Sequence, residues 1–492
     1  RPLSDGECSY YLPSRHDGVN DMYLHLQFSA PARVMKRSRV GLVWAIMRAR
    51  HPLLCARVDM RDYNDIHFVY DRFASPQDIL RDAHGTLEYR RDSSQELIDT
   101  YLNGPRTLSN ERLSYLILSG KNLDCNGFRL PNLEIYDLMI CAAHFIGDGM
   151  ALHQFANTFL ETLSKKNEAE LESMLEKEWA FQLEKSFTLP PSMESRLEEP
   201  PKSRLGRAMA AVDFQRSQER FIGGHAFPKT SGRPRRTVVP TVAIDRDRTA
   251  RILKKCKAKG VSISASLFAI CNFAWASVNR DREGWKLPLM MYTALNMRPY
   301  LRAEKALHDS YWFISIGYIN VVLPAFIPAT SSAAEKTFWH RARLAKRQCT
   351  AAAKNSMIAS RCHEMARERA ARAQKWARED DEALHVASAP AKEPGTGKPT
   401  VPSVALLGLS LLGNLDGTYK HAEFQDVKLR ALTTGSRQRS GGLLLFGYTF
   451  VGKLWLSLGY DINALGSEAN GQHTPSVDKF WDQVLRCVDE FL

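Results

Sequence analysis

The segment with the greatest chemical potential in this 492-residue chain is HFIGDG, residues 144–149. His144 ends a nearly continuous apolar run (LMICAA, 138–143) and enters a two-glycine turn before the helix-patterned MALHQFANTFLETL (150–163). An imidazole there stands at the end of a buried strand, where clefts of α/β proteins form. A neutral imidazole, with an ordinary pKa near ~6.5, can take a proton from an alcohol or thiol at neutral pH. Asp148 either bonds the imidazole across the turn or holds the loop through an arginine. Gly149 permits a tight backbone, a positive φ among the options. The segment is equally consistent with a satisfied turn histidine followed by an N-capping aspartate. The same spacing recurs in HFVYD (67–71), inside an alternating run without glycine, where a solvated strand face is expected.

Other chemistry is sparse. There is no P-loop, GxGxxG or GxSxG pattern, and HEMAR (363–367) lacks the second histidine of a zinc helix, so no metal site is expected. Nine cysteines are scattered without a CxxC pair, which suits reduced thiols in an intracellular protein. No apolar run approaches the eighteen or so residues of a membrane span, and the first ten residues carry no signal-like apolar core. A cytoplasmic protein is the expectation.

The formal charge is +13, and residues 201–260 carry 16 Lys or Arg against 4 Asp or Glu. Such a run suits a solvated face, an anionic surface or a phosphate-bearing ligand. Aromatic residues do not interleave with the basic ones, which argues against a nucleic-acid partner.

The positioning elements mix helices and strands, so an α/β class is expected. Val40, Val43, Trp44 and Met47 recur at helical spacing before His51-Pro52. Strand-like runs occupy 66–70, 113–120 and 133–145, then 237–245, 287–301 (strand then turn), 311–325, 442–450 and 454–461. Residues 331–388 contain neither Gly nor Pro and predict long helices; 387–403 reads as a flexible loop. The last helix is expected to start with Thr474 as N-cap and Pro475 in its first turn. A length beyond one growing core predicts two domains, with a boundary in the polar stretch 186–237.

HFIGDG in this setting resembles the HxxxDG motif of the acyl-CoA-dependent acyltransferases. That superfamily includes chloramphenicol acetyltransferase, the BAHD plant enzymes, peptide-synthetase condensation domains and fungal trichothecene O-acetyltransferases. RARHPLLCARV (48–58), RILKKCKAKGVSISASLFAICNFAWA (251–276), ALNMRPYL (294–301), LGLSLLGNLDG (407–417) and GYTFVGKLWLSLGYD (447–461) resemble further family segments in the same order. RHPLL and NMRPYL bring the fungal secondary-metabolite enzymes nearest. The chain departs from the BAHD branch in lacking DFGWG. It departs from condensation domains in having Ala143 where they place a second histidine, and Leu411 replaces the asparagine of SNxG.

The resemblance implies two chloramphenicol-acetyltransferase-like lobes, 1–185 and 238–492, each a mixed sheet with flanking helices, joined by a 186–237 crossover around a channel. It implies a monomer that uses acyl-CoA as co-substrate, with no permanently bound cofactor, and an alcohol as acceptor. His144 would be the general base, Asp148 would pair with Arg298, and Gly149 would allow the close turn. Thr449, Tyr448 or Ser410 would donate to the oxyanion, and Lys254, Lys255, Lys257 and Lys259 would meet the CoA phosphates. An amide-forming condensation enzyme and a non-catalytic binding protein of the same fold are the alternatives.

Overall fold

The computed structural model describes residues 1–121, 133–184, 188–219, 221–230, 232–279, 287–302, 310–385, 403–466 and 476–492. Its strands are β1 (Met22–Ala30), β2 (Arg57–Asp62), β3 (Asp65–Val69), β4 (Leu87–Arg90), β5 (Ser114–Gly120), β6 (Glu134–Ala142), β7 (Gly223–Gly224) and β8 (Thr237–Val238). They continue as β9 (Thr241–Ile244), β10 (Leu289–Asn296), β11 (Ile316–Leu323), β12 (Ser403–Asn414), β13 (Lys428–Ser436), β14 (Leu443–Phe450) and β15 (Lys453–Asp461). The helices are α1 (Asp5–Ser14), α2 (Arg37–Arg50), α3 (Pro76–Gly85), α4 (Ser94–Asn103), α5 (Gly149–Lys165), α6 (Glu168–Gln182) and α7 (Met193–Arg196). After them come α8 (Arg204–Glu219), α9 (Arg246–Ala258), α10 (Ile263–Val278), α11 (Ser331–Ala353), α12 (Ile358–His385), α13 (Ile462–Leu465) and α14 (Val477–Phe491).

The first lobe is built on a five-stranded sheet in the order β13-β1-β6-β5-β4. β1 pairs antiparallel with both β6 and β13, Met22 standing opposite Ala142 on one side and Ser436 on the other. A strand laddered on both edges and covered on both faces reads as continuous burial, and eight of the nine β1 residues are buried. Local chemistry fixes the helix starts. Ser4 with Glu7, Ser93 with Glu96 and Asn167 with Glu170 form reciprocal capping boxes at α1, α4 and α6.

The second lobe carries the sheet β11-β10-β12-β14-β15-β8, with β7 added to β12 and β9 to β15. Its two faces have different partners. Val321, Leu409, Leu445 and Leu456 share a core with Phe268, Phe338 and Phe480 of α10, α11 and α14. Tyr318, Leu412, Leu444, Phe446 and Tyr448 turn the other way and pack with the first lobe's core.

Two expected boundaries shift. β13 completes the first lobe's sheet although it lies late in the chain, and α12 buries Ala373 and Ala377 in that lobe's core. The region 238–492 is therefore not one contiguous lobe. The 186–237 crossover is also more structured than its polarity implies. It contains α7 and the sixteen-residue α8, whose Ala210 and Phe214 are buried. α14 begins at Val477 under an Ser476 cap; Thr474 and Pro475 lie outside the described residues, as does nearly all of 387–403. No helix among the described residues is long and apolar enough to cross a membrane.

Candidate active site

His144 leaves β6 in a short 3-10 turn, His144–Ile146, and α5 starts at Gly149. The turn is pinned at its base by the Ala143 N–H, which donates to the Leu113 carbonyl at 2.9 Å. The His144 Nδ1 lies 3.0 Å from the Gly147 carbonyl oxygen. A carbonyl only accepts, so this contact assigns the proton to Nδ1 and leaves the lone pair on Nε2. Burial pushes the imidazole pKa below its ordinary value, outweighing the opposing pull of the Asp148 carboxylate. The ring is therefore neutral at pH 7 and basic at Nε2. It is half-buried, while Phe145 and Ile146 beside it are sealed in the core.

Asp148 does not touch the imidazole's free nitrogen. Its Oδ1 caps α5 by accepting from the Ala151 N–H at 3.0 Å, and Oδ2 accepts from the Ser315 N–H at 2.9 Å. The Arg298 Nη1 bridges both oxygens at 3.0 and 2.8 Å. Arg298 opens a 3-10 turn after β10, and its Nη2 donates to the Tyr311 and Phe313 carbonyls at 3.1 and 3.2 Å. One carboxylate, 2% exposed, thus ties the His144 turn to the 311–315 segment and to β10. The structure brings together His144, Asp148, Gly149 and Arg298.

The glycine that the turn requires differs from the expected one. Gly149 is the first helical residue and does not take a positive φ; a Cβ there would meet Leu412 Cδ2 at 3.2 Å. At Gly147 a Cβ would lie 2.6 Å from the buried Trp312 ring, too close for any side chain without a shift.

Of the three oxyanion candidates, two are placed elsewhere. The Tyr448 hydroxyl is buried and donates to the Leu432 carbonyl at 2.8 Å, which uses its only hydrogen. Thr449 alternates to the opposite face of β14, the Gly447 face that packs on Leu267, and its hydroxyl donates to Asn414 Oδ1 at 3.1 Å. Ser410 is half-buried on β12 in register with Phe446, on the sheet face that looks toward the first lobe. Lys254, Lys255, Lys257 and Lys259 are not gathered around His144. α9 packs on α10 and β15 through Ile252 and Cys256, and Lys255 and Lys259 reach over the Trp339 ring at 5.8 and 5.6 Å.

The sequence gives no sign of the aromatic wall beside His144. The Tyr10 ring from α1 lies 4.4 Å from the imidazole, centroid to centroid. Its hydroxyl hydrogen-bonds the Tyr318 hydroxyl of β11, and the Tyr318 ring lies 5.9 Å from that of Tyr292 on β10. Gly408 leaves room for Tyr292, since a Cβ there would meet its hydroxyl at 2.5 Å. Arg369 of α12 stands over the Tyr318 and Tyr10 rings. These residues come from five elements separated by up to several hundred positions, so no spacing rule links them. The other histidine with the same spacing, His67, lies half-exposed on β3, 3.2 Å from Asp65, away from this site.

No protein-family model and no curated protein matches the sequence. Solved structures do match over the full length. Trichothecene 15-O-acetyltransferase TRI3 from Fusarium sporotrichioides aligns with a TM-score of 0.75 at 12% identity, covering 100% of this chain and 95% of that one. Polyketide synthase associated protein 5 from Mycobacterium tuberculosis gives 0.55 at 10%, covering 100% of both chains. The first condensation domain of the CDA synthetase gives 0.55 at 11%, covering 100% of this chain and 96% of its own. At such identities the likeness is one of fold, and the chain has the two-lobed, chloramphenicol-acetyltransferase-like α/β fold that a trichothecene acetyltransferase shares with condensation domains.

Proposed function

We propose that the protein is an acyltransferase that moves an acyl group from acyl-CoA to the hydroxyl of a small-molecule acceptor, with His144 as general base. One observation carries the reading. The Gly147 carbonyl holds the Nδ1 proton, so a neutral imidazole presents Nε2 as a free base at the junction of the lobes. In this reaction Nε2 takes the acceptor's hydroxyl proton as the oxygen attacks the thioester carbonyl. The tetrahedral oxyanion collapses, the C–S bond breaks, and the imidazolium returns the proton to the CoA thiolate. No covalent enzyme intermediate is needed.

Asp148 acts by position. Among the described residues its carboxylate accepts from Ala151, Arg298 and Ser315, which hold the turn that aims the ring. Oxyanion donors are proposed to be Ser410 from the second lobe and the Gly149 and Met150 N–H groups, which have no acceptor among the described residues and lie in the α5 first turn. The lysines of α9 are proposed to meet the CoA phosphates outside the reacting centre. An amine acceptor would use the same base and give an amide, and likeness to condensation domains is what favours keeping this second reading.

The test is CoA release from acetyl-CoA and longer acyl-CoAs with panels of alcohols and amines, CoA being separated chromatographically because the protein carries free thiols of its own. His144→Ala is expected to lower transfer by ~10²–10⁴-fold with an unchanged melting temperature. A variant keeping more than about a tenth of the rate would remove His144 from the base role. Equal rates with and without the imidazole at every acceptor would favour a binding protein.

A further inference from the structure

Among the described residues, Arg369 is a strong cation near His144 that the acyl-transfer reading does not use. Its guanidinium carbon lies 4.5 Å from the Tyr318 ring centroid and 5.4 Å from that of Tyr10. The His144 ring lies 4.4 Å from the same Tyr10 centroid. Both distances end on one ring, so the guanidinium and the imidazole are no further apart than the two together.

Of the other arginines of α12, Arg378 lies over the Tyr63 ring and three pair with a carboxylate. Arg361 pairs with Asp213 at 2.7 Å, Arg367 with Glu364 at 2.9 Å, and Arg372 with Glu368 at 3.4 Å. Arg369 has no carboxylate partner among the described residues, and none of its five N–H donors meets a carbonyl or hydroxyl there. The two tyrosine rings give the guanidinium cation–π contact but no counter-ion, and a half-buried, always-charged group without one carries a desolvation cost. The cavity behind it, bounded by Tyr10, Ile316, Tyr318, Met193 and Met365, has a volume of about 20 Å³. That is room for a water-sized group.

We propose that Arg369 is a carboxylate-binding residue of this site, and that one of the two substrates carries a carboxylate held against the guanidinium while its reacting end lies at His144. The planar fork of arginine matches a carboxylate with two parallel N–H···O bonds, and the flanking tyrosine rings exclude water from the pair. The inference rests on the acyl-transfer reading and adds the class of substrate to it. The carboxylate can belong to the acyl group, as in a dicarboxylic acyl-CoA, or to the acceptor, as in a hydroxy acid.

Calorimetric binding separates the two sources without requiring turnover. In the donor arm, succinyl-CoA is compared with butyryl-CoA. In the acceptor arm, 4-hydroxybenzoate and 6-hydroxyhexanoate are each compared with their methyl esters. The wild-type protein is expected to bind the acid about tenfold or more tightly than its neutral analogue in one arm. Arg369→Met is expected to abolish that preference while leaving the neutral analogue's affinity within about twofold, and Arg369→Lys to keep part of it. Equal binding of acid and analogue in both arms overturns the proposal, as does a preference that survives in Arg369→Met. A guanidinium that only packs would lower the melting temperature of Arg369→Met and leave selectivity unmoved, which also overturns it. If Arg369→Met fails to fold, Arg369→Lys and Arg369→Gln carry the same comparison. CoA release is measured in parallel on the wild type, so a carboxylate site in a protein that transfers no acyl group is told apart from an acyltransferase that ignores the charge.

Discussion

Three histidines of this chain are buried in different ways, and the difference decides which of them can do chemistry. His51 and His153 are fully enclosed; each bonds a hydroxyl through Nδ1, Ser310 at 3.0 Å and Tyr419 at 3.0 Å, and each has an Nε2 without a partner. Burial pushes both down to about 3. His144 alone combines an anchored Nδ1 with partial exposure. Its pKa is also lowered, so the base form persists below the ordinary imidazole range, and kcat/KM is expected to stay flat through neutral pH and fall only in acid. The Asp148 charge raises that pKa, so Asp148→Asn is expected to move the acid limb to lower pH. A pH–rate profile of the two proteins checks the sign. The enclosed pair governs stability instead. Between about 6.5, where an unfolded histidine titrates, and about 3, the unfolded chain binds protons that the folded chain refuses. Stability is therefore full above the upper limit and falls with acidification, by ~1.4 kcal/mol per pH unit for each histidine. Urea unfolding at pH 7 and pH 5 measures the slope, and His153→Gln is expected to make it shallower.

At the scale of an element, the His144 turn and the start of α5 form one device with three separable parts. Gly147 is needed for space. Gly147→Ala sets a methyl 2.6 Å from the Trp312 ring and is expected to cost ~1–3 kcal/mol as overpacking. Gly149→Ala meets only the tip of Leu412 at 3.2 Å, and its melting temperature is expected to lie far closer to wild type. Asp148→Asn keeps an oxygen for the Ala151 cap and loses the charge facing Arg298. Breaking a buried pair typically costs ~3–5 kcal/mol, and the Arg298 side chain's 22% exposure puts the expected loss at or below the low end. Chemical denaturation of the three variants ranks the parts. An Asp148→Asn protein as stable as wild type would mean that Arg298 is not what holds the turn.

At the scale of the molecule, the lobes are not separable modules, because β13 lies along β1 from Met22 to Ser29 and α12 rests on α1. A fragment ending near residue 220 would leave the β1 edge open, an apolar strand with unpaired N–H and C=O groups. That fragment is expected to aggregate on expression, whereas the full chain is not; size-exclusion chromatography and circular dichroism decide it. A soluble, folded monomeric fragment would show that the first lobe does not depend on the returning strand. The packing of α12 on α1 sets Arg369 over the Tyr10 ring, whose other neighbour is His144.

Much of this was legible in the residues alone. The switch from a doubly buried strand to an amphipathic helix at HFIGDG, the caps, and the Gly- and Pro-free stretch that becomes α11 and α12 are local properties, encoded within a few turns of chain. NMRPYL marked Arg298 only through resemblance, since nothing within a few residues says what a guanidinium 150 positions from Asp148 will meet. Tyr10, Tyr318 and Arg369 were illegible for the same reason in stronger form. A tyrosine in α1 or an arginine among many on α12 has no distinguishing neighbours until the strand return brings the helices together. Alternation in β14 predicts that Tyr448 and Thr449 face opposite ways, but which face looks toward His144 depends on how two sheets pack. Composition and periodicity determined the elements and marked His144 as a candidate. Long-range packing, which no local pattern specifies, decided what surrounds that imidazole and which cation waits beside it.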